Sequence, residues 1–158
     1  MNTFINKLIN NSSSEDKHTI LPNEVKEVFL EQGFYEFLPK TMYSGKTAYI
    51  YSCGIHGNET APIEIISDLI LKIRNGDINL THPLLVIFGN IESIKVGKRF
   101  IKDNMNRMFS GAHNKFDQID YEPRRAKLIE EVISEFFLKY EDHLVLKKIS
   151  NHPFLRLF

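Results

Sequence analysis

Apolar positions in this chain alternate between short uninterrupted runs and longer stretches with helical spacing. Ala48-Tyr49-Ile50-Tyr51-Ser52-Cys53 is rich in aromatic and β-branched residues and predicts a strand. Ile63, Ile66, Leu69, Ile70 and Ile73 then recur with the period of a helix that has one apolar face. Asn58 or Thr60 can cap that helix, Pro62 fits its first turn, and Asn75-Gly76 ends it. Leu84 to Phe88 is a continuous apolar run, the pattern of a buried parallel strand, and Gly89-Asn90 closes it. Pro123 opens a long helix reaching about Tyr140, with Leu128, Val132, Phe136 and Leu138 on or near its buried side. His143 to Leu146 suits a further strand.

Nearer the start, Val25 to Leu38 breaks at Gln32-Gly33 and reads as two short strands around a turn. Val25, Val28 and Phe29 also suit a helix face. Asn10 to Lys17 reads as a polar loop behind a short first helix. Strand, helix, strand, helix, strand is the order of an α/β layered domain. The expected division is a helix and polar loop over 1–18, the α/β domain over 19–146, and an atypical tail over 147–158. Open α/β sheets place ligands at the carboxyl ends of their strands. His56 and Glu59 lie just past one such end and Asn90 past another, so the two loops should share an edge.

Composition narrows this. A chain of 158 residues suffices for one domain with a real core. Lys+Arg and Asp+Glu balance at 20 each, so no global field draws the chain to nucleic acid or an acidic membrane. A charged ligand must be recognised by a local cluster. Cys53 is the only cysteine, which excludes an intrachain disulfide and fits a reducing, cytoplasmic setting. The first residues lack the apolar core and cleavage site of a signal peptide, and no apolar run is long enough to span a bilayer.

The chemistry concentrates in two places. Gly54-Ile55-His56-Gly57-Asn58-Glu59-Thr60-Ala61-Pro62 sets an imidazole and a carboxylate three residues apart where a strand gives way to a helix. Both are zinc ligands, and a strand-end turn lets them converge while other coordination positions stay open. The structural alternative is a surface histidine beside a glutamate that favours the helix dipole. Gly54 and Gly57 permit tight turning there. The second place is Gly97-Lys98-Arg99 through Asp103-Asn104-Met105-Asn106-Arg107-Met108-Phe109. Its arginines suit paired hydrogen bonds to carboxylates, Asn106 can bond a carbonyl or carboxylate, and Asp103 can orient an arginine. A solvated basic loop is the alternative, against which Phe100, Met105, Met108 and Phe109 should pin the segment to the core. His18, His82 and His113 read as surface residues, Arg124 and Arg125 as a solvated helix entry, and Cys53 as a packed residue without a base.

Joined with Leu84-Leu85-Val86-Ile87-Phe88-Gly89-Asn90, these segments resemble the succinylglutamate desuccinylase/aspartoacylase family of zinc amidohydrolases. Thr60-Ala61-Pro62 and Asn106-Arg107-Met108-Phe109 look most like the desuccinylase branch. The resemblance implies a zinc-carboxypeptidase-like α/β fold with a mostly parallel or mixed sheet. It implies hydrolysis of N-succinyl-L-glutamate to succinate and L-glutamate, the closing step of an arginine-breakdown route. His56 and Glu59 would be ligands to one Zn2+, and Arg99, Asn106 and Arg107 would bind substrate.

The family's third zinc ligand is a histidine in an Asp-Leu-His segment. The counterpart here, after His143-Leu144, reads Val145-Leu146-Lys147, and a lysine ammonium does not ligate zinc. His143 and His152 are substitute candidates. The family's general-base glutamate falls in a portion absent from this sequence, so a C-terminally truncated member is expected. Two readings stand beside the desuccinylase: an aspartoacylase-like deacylase of another N-acyl amino acid, and a non-catalytic remnant that binds dicarboxylates through Arg99 and Arg107. Oligomeric state is not legible.

Overall fold

In a computed structural model, the residues described are 5–7, 18–41, 47–140 and 144–146. The strands are β1 (His18–Ile20), β2 (Lys26–Glu31), β3 (Phe34–Leu38), β4 (Ala48–Cys53), β5 (Leu84–Phe88) and β6 (Leu144–Leu146). The helices are α1 (Thr60–Asn75), α2 (Ile91–Val96) and α3 (Tyr121–Lys139). One six-stranded sheet runs in the order β1-β2-β3-β5-β4-β6. β4 pairs parallel with β5 and β6, whereas β1, β2 and β3 form an antiparallel flank that joins β5 through β3. The sheet is therefore mixed. No helix among the described residues is long and apolar enough to cross a membrane.

Alternation along the central strands divides the core in two. Tyr35, Phe37, Leu84, Val86 and Phe88 face the same side and pack with Ile63, Ile66, Ile70 and Ile73 of α1. Phe34, Ile50, Leu85 and Ile87 face the opposite side and meet Ala126, Ile129, Ile133 and Phe136 of α3. β5 is buried at every position because it lies between both helices. Each fully buried isoleucine of α1 contributes roughly 1.5–3 kcal/mol of transfer free energy. Gly76 ends α1 in the left-handed region at φ 80, where its N–H reaches Ile73 O and Lys72 O.

Several expectations change. The N-cap of α1 is Glu59, not Asn58 or Thr60, and its carboxylate makes no cap hydrogen bond because it turns toward His56. α2 was not expected; Asn90 Oδ1 caps it by accepting from Ser93 N at 3.1 Å. The buried stripe of α3 runs through Ala126, Ile129, Ile133 and Phe136. Leu128 and Val132 only flank it, and Leu138 is 68% exposed, two residues past Phe136 and so nearly opposite on the helix. The paired strands at 26–38 settle the strand-or-helix ambiguity there. The polar loop over 10–17 lies outside the described residues.

Candidate functional site

The parallel ladder of β4 and β5 continues past both strands. Gly89 N donates to Cys53 O and Asn90 N to Gly54 O, each at 2.8 Å, so the two loops meet at one sheet edge. Gly54 turns the chain at φ 68. A Cβ on Gly57 would stand 2.1 Å from the backbone carbon of Ser93, so only glycine lets this turn lie against α2. That contact helps bury His56 completely.

His56 Nδ1 is 2.8 Å from Glu59 Oε1, and its Nε2 is 3.0 Å from Asn104 Oδ1. Asn106 N also points to Asn104 Oδ1, at 3.1 Å. A backbone N–H only donates, so the atom at this point is the oxygen of Asn104. His56 Nε2 must then carry the hydrogen it donates. The remaining Nδ1 faces a carboxylate oxygen, and these two atoms approach this closely only with a proton or a cation between them. A neutral imidazole whose far nitrogen is committed to a fixed acceptor is the form that ligates a metal.

Asn104 caps a short 3-10 turn, Met105–Arg107. Met105 and Met108 are fully buried and Phe109 nearly so, which fixes this end of the basic segment on the α3 side of the sheet. Phe100 does not share that role, being 36% exposed. The guanidinium groups of Arg99 and Arg107 are exposed and unpaired among the described residues, and Asp103 orients neither. Asn106 Oδ1 is buried without a hydrogen-bond partner among the described residues.

The first turn of α3 bonds the arginine segment and the end of β5. Glu122 Oε1 accepts from Ile101 N at 2.7 Å and Lys102 N at 3.3 Å. Arg125 donates to Phe88 O and Gly89 O, both at 2.8 Å, and lies over the Phe34 ring. Burial lowers the Arg125 pKa, against opposing pulls from Tyr121 and Glu31.

A family model described as the succinylglutamate desuccinylase/aspartoacylase catalytic domain matches residues 44–146. The chain belongs to this family. It is 45% identical over 109 residues to a succinylglutamate desuccinylase of Serratia proteamaculans, covering 69% of this chain and 32% of that protein. A desuccinylase of Pseudoalteromonas atlantica is 38% identical over 136 residues, covering 79% and 38%. The crystal structure of the Chromobacterium violaceum succinylglutamate desuccinylase superposes with a TM-score of 0.77 at 31% identity, covering 92% of this chain and 43% of that one. The chain thus spans about a third of the length of the curated relatives it matches.

In this member of the desuccinylase/aspartoacylase family, His56, Glu59, Asn104 and the Asn106 backbone form one hydrogen-bonded group. Arg99 and Arg107 belong to the same segment. Among the described residues no group of three His, Cys, Asp or Glu side chains is placed to share a metal ion. His143, Lys147 and His152 lie outside the described residues. The His56 imidazole and Glu59 carboxylate are donor types that suit a zinc ion, and two such groups would leave its other positions to other ligands.

Some sequence assignments are corrected. His113 is buried, with Nδ1 3.3 Å from Glu130 Oε2. His82 is half-buried, edge-on to Tyr49 at 5.5 Å; His18 is exposed as expected. Arg125 is buried rather than solvated, unlike exposed Arg124. Cys53 is buried, and burial pushes its thiol pKa far up, which suits a packed residue and not a nucleophile. Glu122 and Arg125 were missed as site residues. Their signal was positional: both precede Ala126 and Ile129 on the apolar stripe of α3.

Proposed function

We propose that this chain carries the metal-ligand pair and anion-binding loop of a zinc-dependent hydrolase that cleaves N-succinyl-L-glutamate to succinate and L-glutamate. The observation that carries this reading is the 2.8 Å approach of His56 Nδ1 to Glu59 Oε1, with Nε2 already engaged by Asn104. The relatives named as succinylglutamate desuccinylases support the substrate class.

His56 Nδ1 and the Glu59 carboxylate would hold the ion, with completing ligands from outside the described residues. Bound there, zinc would supply Lewis-acid chemistry toward the scissile amide carbonyl. The rest of the work belongs to protein side chains. Asn104 holds the His56 tautomer and ring orientation. Succinylglutamate carries three carboxylates, and the exposed guanidiniums of Arg99 and Arg107 bind them by paired hydrogen bonds. The cytoplasmic setting is part of the same reading, supported by a single, buried cysteine.

Zinc content, succinate binding and succinate release, measured on this chain and its variants, test the proposal. His56→Ala and Glu59→Ala should each lose zinc. Arg107→Ala should keep zinc and bind succinate about tenfold to a hundredfold more weakly, the worth of a charged hydrogen bond. Full metal content in His56→Ala would overturn the assignment. Faster cleavage of N-acetylaspartate than of N-succinylglutamate would move the chain to the aspartoacylase reading.

A further inference from the structure

We propose that Glu122 is the positioning residue of the anion loop, setting where Arg99 stands. The inference rests on the reading of Arg99 as a carboxylate-binding residue.

Residues 99–103 have little else to hold them. Lys98 N reaches Ser93 O, and Asn104 O accepts from Arg107 N. Between these anchors no backbone–backbone hydrogen bond fixes the segment among the described residues. Nor does burial: Phe100 is 36% and Ile101 47% exposed, and the Lys102–Asp120 ion pair is a surface one. What remains is Glu122 Oε1, taking the successive N–H groups of Ile101 at 2.7 Å and Lys102 at 3.3 Å.

The carboxylate is placed for this task at some cost. Glu122 is fully buried, and its Oε2 has no hydrogen-bond partner among the described residues. A residue serving packing alone would be apolar here, like its stripe neighbours Ala126 and Ile129. The same Oε1 lies 3.4 Å from Asn90 Nδ2, in the turn whose backbone joins Gly54 of the His56 loop. One oxygen therefore references the anion loop to the turn beside the metal-ligand pair. α3 itself is tied to the sheet at this point, since Arg125 one turn on donates to both carbonyls at the end of β5.

The variants Glu122→Ala, Glu122→Asp and Glu122→Gln separate reach from charge. Glutamine keeps an acceptor oxygen in place of Oε1, whereas aspartate keeps the charge and loses the reach. Succinate affinity by calorimetry, zinc content, and amide hydrogen exchange at Ile101 and Lys102 are the readouts. The alanine and aspartate variants should bind succinate about tenfold more weakly, retain zinc, and exchange these two amides faster. Glu122→Gln should stay within about threefold of the parent in affinity. Parent-like affinity in the alanine or aspartate variant would overturn the proposal. So would a glutamine variant as weak as alanine, which would make the charge the cause. If alanine prevents folding, the aspartate and glutamine pair decides. A parent chain that binds no succinate defeats the functional reading instead, and Glu122 is then judged by exchange: unchanged rates at Ile101 and Lys102 would overturn it.

Discussion

Asn104 matters at the residue scale because its oxygen controls a proton, not because of the area it covers. It accepts from Asn106 N and from His56 Nε2, which leaves Nδ1 to face Glu59. Asn104→Ala removes the acceptor and frees the ring to change tautomer or rotate. Zinc affinity should fall about 10- to 100-fold, as for other groups that orient a metal-bound histidine. Asn104→Asp presents a carboxylate oxygen at the same place and should retain zinc. A competition titration against a chelator of known affinity measures both. Equal affinities for Asn104→Ala and the parent would show that the ring is held by packing alone.

The relevant elements are the turn after β4 and the short helix α2. They approach so closely that a Cβ on Gly57 would fall 2.1 Å from Ser93 C and 2.2 Å from Ser93 O. These are backbone atoms, so relief requires moving the turn or the helix. Gly57→Ala should destabilise the fold by about 1–3 kcal/mol, the usual range for overpacking. The same movement carries His56 away from Glu59, so zinc should weaken in parallel. Gly97→Ala is the control: Gly97 has positive φ, but no atom of the described residues outside its chain neighbours and α2's own backbone lies within 4 Å of the added methyl. It should cost conformational strain without disturbing zinc. Denaturant melts with and without zinc distinguish the two.

On the scale of the whole molecule, two core clusters share one sheet, and a buried and a half-buried tyrosine couple their stability to pH. Burial pushes Tyr35 to about 12, with Glu27 adding to the rise and Arg74 opposing it. Burial beside Glu36 likewise pushes Tyr140 to about 12. An acid whose folded pKa is raised favours folding while it stays protonated. This contribution is complete below the ordinary tyrosine value near ~10 and fades as pH rises toward about 12. The melting temperature should therefore drop over that interval, and Tyr35→Phe should reduce the drop. An unchanged drop in Tyr35→Phe would place the alkaline sensitivity elsewhere. Lys139, which bonds both oxygens of Glu36 at 2.9 Å, ties α3 to β3 across the same region.

Local pattern alone determined β4, β5, the apolar faces of α1 and the extent of α3, because period and continuity are properties of neighbouring residues. It also singled out His56, Glu59 and the arginine segment, since ligand and turn chemistry are written in adjacent positions. What local pattern could not decide was anything made by residues far apart in the chain. Asn104 bonds across 48 positions to His56, Glu122 reaches back 21 to Ile101, and Arg125 reaches 36 to Gly89. The burial of His113 is illegible in the sequence for the same reason: Glu130, whose Oε2 lies 3.3 Å from its Nδ1, is on another element. Most buried polar groups are satisfied by such partners, and those partners are brought together by the fold.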